Sequence, residues 1–165
     1  MIFVTVGTHE QPFNRLIEAI DELKADHTIP ESEQVFIQTG FSTYTPKHCS
    51  YATLVPAEQM KQLMRDASIV VTHGGPSTFI EAMAAGNTPV VVPRRSEFGE
   101  HVNDHQVDFV RQVEKTYGGI IPVYDVADLP QALAKAKESA GNAAFHSHNS
   151  EFCKQLASLV SEIQH

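Results

Sequence analysis

Cysteine is scarce in this sequence: Cys49 and Cys153 are the only two. They show no metal-ligand spacing and are too few for a disulfide framework, so both read as bland thiols of a reducing compartment. Long apolar runs are missing as well. Crossing a bilayer takes roughly 20 consecutive apolar residues, whereas the runs here are strand-sized, and residues 1 to 6 read as a strand rather than a basic, cleavable leader. The expectation is a soluble, cytoplasmic protein. Basic residues are outnumbered, 12 Lys and Arg against 20 Asp and Glu for a net charge of -8, which argues against broad attraction to nucleic acid or to anionic lipid.

Several signatures of nucleotide and metal chemistry are also absent. No G-x-G-x-x-G follows the first strand and no G-x-x-x-x-G-K-[ST] occurs anywhere, so dinucleotide oxidoreductase and P-loop readings lose weight. His101 and His105 sit four residues apart with acids nearby, but there is no H-E-x-x-H arrangement, and no metal is assigned.

What is present is alternation. The segments at 2 to 6, 35 to 38, 52 to 55, 69 to 72, 89 to 93 and 119 to 123 are short, β-branched and nearly continuous, as strands covered on both faces are. Helical periods fall between them: Phe13, Leu16, Ile17, Ile20 and Leu23 after Pro12, and Met60, Leu63, Met64 and Ala67 after Pro56. Further helices are expected at 76 to 85, at about 103 to 114, at 129 to 138 behind an Asp128 cap, and at 150 to 163 along Phe152, Leu156, Leu159, Val160 and Ile163. With 165 residues and 42% hydrophobic content, the chain suits a single domain over 1–165 with its own core. The expected class is α/β, a doubly wound, open parallel sheet of Rossmann type, whose ligand crevice lies beyond the carboxyl ends of the strands.

Three loops would border that crevice. In THGGPSTFIEAMAAG, His73 follows a strand, Gly74 and Gly75 allow a tight turn, and Pro76 suits a first helical position, so free N–H groups are expected to face an anion with the Ser77 and Thr78 hydroxyls beside them. Glu81, off the apolar face of Phe79, Ile80, Met83 and Ala84, is placed to accept two hydrogen bonds from a ribose diol, and Gly86 to cap the helix. In VTVGTHEQPF, Gly7, Thr8 and His9 follow the first strand directly; His9 is open to a role as base, as phosphate contact or as a plain loop histidine. In EFGEHVNDHQ, Asn103 can cap a helix that leaves His105 and Gln106 in its first turn, where imidazole and amide groups could grip sugar hydroxyls. His146, His148 and His165 are assigned nothing.

HGGPSTFIEAMAAGNTPVVVP followed by EHVNDHQ resembles the carboxyl-terminal, donor-binding half of GT-B glycosyltransferases of family 28, related to the MurG-like transferase of peptidoglycan synthesis. With the start MIFVTVGTHEQPFNRLI, the sequence is more similar still to the small stand-alone subunits of split transferases in bacterial capsule and exopolysaccharide synthesis. The catalytic subunit of the second N-acetylglucosaminyltransferase of dolichol-linked oligosaccharide assembly is their eukaryotic counterpart. The similarity runs from residue 1 to about 115.

The resemblance implies Gly74, Gly75, Pro76 and Ser77 beside a diphosphate, Glu81 on the ribose, and His105 and Gln106 on the donor sugar. It also implies the Val55 backbone and Met60 against uracil, and Gly7 and Thr8 near the phosphates. RRSEFGE is longer than in the one-chain enzymes, which leaves Arg94, Arg95 and Glu97 without an aligned role. Because Met1 immediately precedes the first strand, the amino-terminal half is expected on a separate membrane-associated subunit that binds a polyprenyl-diphosphate-linked sugar and recruits this chain to the inner face of the cell membrane. The implied reaction is an inverting transfer of a hexose from a UDP-sugar, galactose being the first choice, with UDP-sugar as substrate and neither cofactor nor metal required. The catalytic base is His9 or a partner residue. A non-catalytic nucleotide-sugar sensor and a nucleotide-sugar epimerase or hydrolase are the rival readings.

Overall fold

The computed structural model describes residues 1–140 and 149–163, with the side chains of 149–153 and 163 left out. The expectations for His146, His148, His165 and the side chains of Phe152, Cys153 and Ile163 lie outside the described residues.

Six strands, β1 (Ile2–Thr5), β2 (Val35–Gln38), β3 (Ser50–Ala52), β4 (Ile69–His73), β5 (Val90–Val92) and β6 (Ile121–Pro122), form one sheet in the order β3-β2-β1-β4-β5-β6. Every pairing is parallel. Among the described residues, six α-helices cover it: α1 (Asn14–Ala25), α2 (Ala57–Asp66), α3 (Pro76–Ala84), α4 (His105–Thr116), α5 (Leu129–Ala140) and α6 (Asn149–Ile163). IFVT of β1 and IVVTH of β4 are buried throughout, because both are interior strands with helices on either face. Alternate side chains enter different layers. Val4 packs with Leu16, Ile17 and Leu133 on one side, whereas Phe3 meets Met64 and Ala82 on the other. Phe79, Met83, Val91, Val110 and Leu156 form a further cluster that seats α3, α4 and α6.

The chain departs from expectation at four places. β3 occupies 50 to 52, not 52 to 55, because the Thr53 carbonyl accepts from Gly40 N–H at 2.9 Å and Gln38 Nε2 at 3.0 Å. This draws the chain off the sheet edge and leaves Leu54 57% exposed. β6 is confined to two residues. Asp128 does not stand before α5 as a capping residue: it ends a 3-10 turn, and the carboxylate that accepts a hydrogen bond there is Asp125, from Ala127 N–H at 2.9 Å. Ala84 is exposed rather than part of an apolar face. The end of α3 follows the expected chemistry, since Gly86 takes φ +95° just past the Ala85 cap and Asn87 N–H reaches the Ala82 carbonyl. Asn87 Nδ2 then bonds the Met64 carbonyl at 2.7 Å, which joins α3 to α2.

The loop before β3 is fastened to α1 by one buried carboxylate. Asp21 accepts from Tyr44 Oη at 2.8 Å, Lys47 N–H at 2.9 Å and His48 N–H at 2.8 Å. Burial opposes its ionisation, but these bonds and the Cys49 thiol outweigh burial and hold the carboxyl below the usual carboxylate range. Asp21→Ala is therefore expected to cost about 3 kcal/mol of unfolding free energy at pH 7, since it strands donors that had bonded a charged group. A depressed folded-state pKa contributes stability that is complete above the unfolded value and lost as pH falls through the folded one. The gap between wild type and variant, measured by urea denaturation, should thus shrink below about pH 4.

Candidate functional site

The strand order reverses between β1 and β4, and the loops that leave these two strands diverge there, as they do at the ligand crevice of doubly wound sheets. A crevice of about 410 Å³ opens at that point. Of the residues singled out in the sequence, Gly7, Thr8, His9, Val55, Met60, His73, Ser77, Thr78 and Gln106 line it. Thr5, Gln38 and Leu54 join them.

The first loop is held by two residues that sequence reasoning missed. Gln38, 2% exposed at the end of β2, accepts from Thr5 Oγ1 at 2.6 Å and Gly7 N–H at 3.2 Å, and donates to the carbonyls of Gly7 at 3.1 Å and Thr53 at 3.0 Å. Its amide therefore ties the loop after β1 to the loop after β3. Arg94, buried behind the crevice, donates through Nη2 to the Val6 carbonyl at 2.8 Å and through Nη1 to the carbonyls of Gln11 at 2.7 Å and Glu100 at 3.0 Å. Burial lowers its pKa to about 10 against the opposing pull of Glu100, so it stays cationic at neutral pH. The available signal was a polar residue closing each apolar strand segment, VFIQ and PVVVPR.

The loop after β5 is built rather than slack. Glu100 accepts from Arg15 Nε at 2.8 Å, Arg15 Nη2 at 3.0 Å and Arg95 N–H at 2.9 Å. The exposed Phe98 ring lies under the Arg15 guanidinium at 4.9 Å and the Arg95 guanidinium at 5.7 Å. Arg95 also pairs with Glu97 at 3.0 Å. This loop carries His101, whose ring packs against His9 with centroids 4.5 Å apart. Burial, then the nearby His9, Arg94 and His105, push the His101 pKa below the usual imidazole value.

The start of α3 corrects one expectation. The N–H groups of Gly74 and Gly75 are not free: Gly74 donates to Gln106 Oε1 at 3.1 Å and Gly75 to His73 Nδ1 at 3.0 Å. The reason is local, because His73 folds back over the turn and Gln106 bridges from α4 to Arg94 N–H as well, at 3.0 Å. Among the described residues, the first-turn amide left without an acceptor is that of Ser77. Gly75 has to be glycine, since a Cβ there would run into the His73 ring; so has Gly7, at φ +76°, where a Cβ would come within 2.5 Å of His73 Nε2.

Five expected residues do not line the crevice: Gly74, Gly75 and Pro76, which form the turn into α3, and Glu81 and His105. Glu81 lines a neighbouring depression of about 240 Å³ with Lys61, Met64 and Arg65, further along the groove between α2 and α3. It stands four residues beyond Ser77, hence on the same side of α3. His105 is exposed and borders neither cavity; Asn103 Oδ1 accepts from its N–H at 3.0 Å, but the capping residue of α4 is Asp104, with no side-chain cap bond, so Asn103 stands one residue before the position expected of it. Among the described residues no three His, Cys, Asp or Glu side chains gather as a metal set.

His73 is 8% exposed, and burial, reinforced by Arg94, His9 and His101, pushes its pKa down to about 3. Its ring is neutral in the folded chain, whereas the unfolded chain takes up a proton near the ordinary value of about 6.5. A depressed histidine pKa makes folding stability fall as pH drops below the unfolded value. This residue alone should cost about 2 kcal/mol between pH 7 and pH 5. His73→Asn, whose carboxamide oxygen can accept from the N–H two residues on, should lose less over the same interval, as measured by denaturant titration at the two pH values.

The model of the glycosyltransferase family 28 C-terminal domain matches residues 1–162. Among solved structures, the chain is similar to the glycotransferase of kitacinnamycin, with TM-score 0.59, 20% identity, and coverage of 95% of this chain and 39% of that one. It is similar also to CalG4, the calicheamicin glycosyltransferase, with TM-score 0.55, 17% identity, and coverage of 99% and 41%. For the glycosyltransferase SnogD from Streptomyces nogalater the values are 0.51, 19%, 97% and 42%. These likenesses show the fold, and the chain spans about two fifths of the length of each. No curated protein matches the sequence. A six-stranded parallel sheet with its crevice at the reversal of strand order, matched by the family model over nearly its whole length, places this chain in the glycosyltransferase family 28 C-terminal domain family.

Proposed function

We propose that the chain is the donor-binding, catalytic half of an inverting glycosyltransferase that moves a hexose from a UDP-sugar to a polyprenyl-diphosphate-linked sugar. The observation that carries this reading is the crevice at the start of α3, with the depression beside Glu81 between α2 and α3. The crevice offers the Ser77 N–H and the Ser77 and Thr78 hydroxyls at a helix N-terminus, and Glu81 stands one turn further on. A diphosphate at the helix start is favoured by the free amide and the helix dipole. The ribose diol then falls beside Glu81 and the uracil beside Val55 and Met60. Gly7 and Thr8 close over the phosphates, and Gln106 and His105 approach the sugar from α4.

In the reaction, the acceptor hydroxyl oxygen bonds to the anomeric carbon as the bond from that carbon to the β-phosphate oxygen breaks. The bonding pair leaves with UDP, and a base takes the hydroxyl proton. Negative charge grows on the departing β-phosphate, and donors fixed by the fold stabilise it without rearranging. Arg94 adds a positive charge behind the crevice. This is a reaction in which the UDP-sugar is substrate and no cofactor takes part. The base is His9 or a group of the acceptor-binding subunit.

The acceptor-binding half is read as a separate, membrane-associated subunit, on the sequence resemblance to the split transferases. Among the described residues no helix is long and apolar enough to cross a membrane; in this reading, which rests on the sequence resemblance, the partner recruits the chain to the inner membrane face. The setting is capsular or exopolysaccharide synthesis, and galactose is the donor of first choice.

Glu81→Ala should weaken UDP binding about tenfold or more while the thermal unfolding midpoint stays near that of the wild type, as expected when hydrogen bonds to a charged group are lost. Unchanged affinity by calorimetry would remove Glu81 from the site. Co-expression with the acceptor-binding subunit, assayed with radiolabelled UDP-sugars on a lipid-linked glucose acceptor, should give transfer that needs both chains. Binding of UDP-sugar with no transfer to any such acceptor would instead make the chain a nucleotide-sugar sensor.

A further inference from the structure

Three histidines around the crevice repeat one hydrogen bond. Nδ1 of His9 accepts from Gln11 N–H at 3.2 Å, Nδ1 of His73 from Gly75 N–H at 3.0 Å, and Nδ1 of His101 from Asn103 N–H at 3.4 Å. In each case the donor is the backbone amide two residues on. A backbone N–H can only donate, so each Nδ1 must keep its lone pair, and the proton of each neutral ring sits on Nε2. His73 directs that Nε2 proton to Thr78 Oγ1 at 3.1 Å. Nε2 of His9 has no partner among the described residues, and the residue lines the crevice.

A general base must turn a free lone pair toward the proton it takes. His9 has none to offer. Its Nδ1 pair is spent on Gln11, and its Nε2 carries hydrogen whether the ring is neutral or cationic. Turning the ring over would lose the Gln11 bond, since the ring edge then facing Gln11 N–H is a carbon. We propose that His9 is a hydrogen-bond donor to an oxyanion of the bound diphosphate, held in that state by Gln11 and His101, and that the base for the acceptor hydroxyl is a different group.

The inference rests on the reading that a nucleoside diphosphate occupies the crevice, and it decides between the two bases left open there. It also gives His101 a positioning role, as the ring against which His9 is packed. The surroundings suit a donor of this kind. His73 and His101 both have pKa values lowered in part by Arg94 and His9, so the cluster disfavours further protons and favours an anion.

The test uses the whole chain in two measurements. Long-range proton–nitrogen spectra of uniformly labelled protein report the tautomer, and the pattern of a ring protonated on Nε2 is expected for His9. Calorimetry then compares UDP with uridine on the wild type, His9→Gln and His9→Asn. Glutamine can place an amide N–H near the position of Nε2, and asparagine falls short of it. His9→Asn should weaken UDP about tenfold, as for a lost hydrogen bond to a charged group, with uridine unchanged and His9→Gln within about threefold of wild type.

A His9 ring protonated on Nδ1 overturns the proposal, and so does a His9→Asn chain that binds UDP as the wild type does. Wild-type protein that binds no UDP overturns the proposed function instead, and takes the diphosphate from this inference with it. The two failures are thereby separated.

Discussion

The site depends on a guanidinium placed where water cannot reach it. Arg94 is 1% exposed, and a buried cation is costly unless its donors are satisfied. Here Nη1 and Nη2 reach three main-chain carbonyls, of Val6, Gln11 and Glu100, while Nε is buried with no partner among the described residues, and the group lies over the Phe13 ring at 4.9 Å. The carbonyls of Val6 and Gln11 flank the first loop, and that of Glu100 lies within the loop after β5, next to His101. One side chain therefore fixes the spacing of the segments that bring His9 and His101 together. The Glu100 carboxylate attracts Arg94 through space, but its hydrogen bonds go to Arg15 and the Arg95 amide. Positive charge is left behind the crevice, in a chain whose net charge is -8. An acidic protein can hold an anion in this way, because a desolvated charge a few ångströms off outweighs screened surface charges further away.

Most of the architecture was legible in the sequence, for a physical reason. Strands covered on both faces must be apolar along their length, and IFVT and IVVTH are conspicuous among amphipathic helices. β3 was misplaced because it is an edge strand with exposed Ser50 and Tyr51, so burial put no apolar pattern on it. The apolar ATLV beside it is largely loop, drawn away by Gln38 and Gly40. Hydrophobic pattern reports burial, and at a sheet edge burial and strand formation part company.

The residues that border the crevice were legible for a different reason. A parallel sheet sends its functional loops out from the carboxyl ends of its strands, so a glycine or polar group just after an apolar run is a fair candidate. His9, His73 and Ser77 were found by that rule. Gln38 and Arg94 sit at the same kind of position and were passed over, because nothing in a linear pattern says that a side chain will turn inward and bond backbone 31 or 88 residues away. The Asp21 clamp escaped for the same reason. An acidic residue in an amphipathic helix looks solvated until a loop far along the chain is found to cover it.

The start of α3 shows how the same motif can be used in two ways. A glycine-rich turn into a helix is usually valued for the bare amides it turns toward an anion. In this chain the turn serves as a cradle for a histidine: Gly75 must lack a Cβ because the His73 ring occupies that space, and Gly7 faces the same ring from the opposite loop. Two amides are consumed by His73 and Gln106, and the donors that remain toward the crevice are mostly side chains, the hydroxyls of Ser77 and Thr78 and the ring of His9. Backbone amides have fixed strength and direction, whereas hydroxyls and imidazoles can rotate, relay or change charge. Because His73 donates to Thr78 Oγ1, the Thr78 proton is freed to point outward. The buried ring thus passes its hydrogen-bonding direction on to the Thr78 hydroxyl beside it in the crevice.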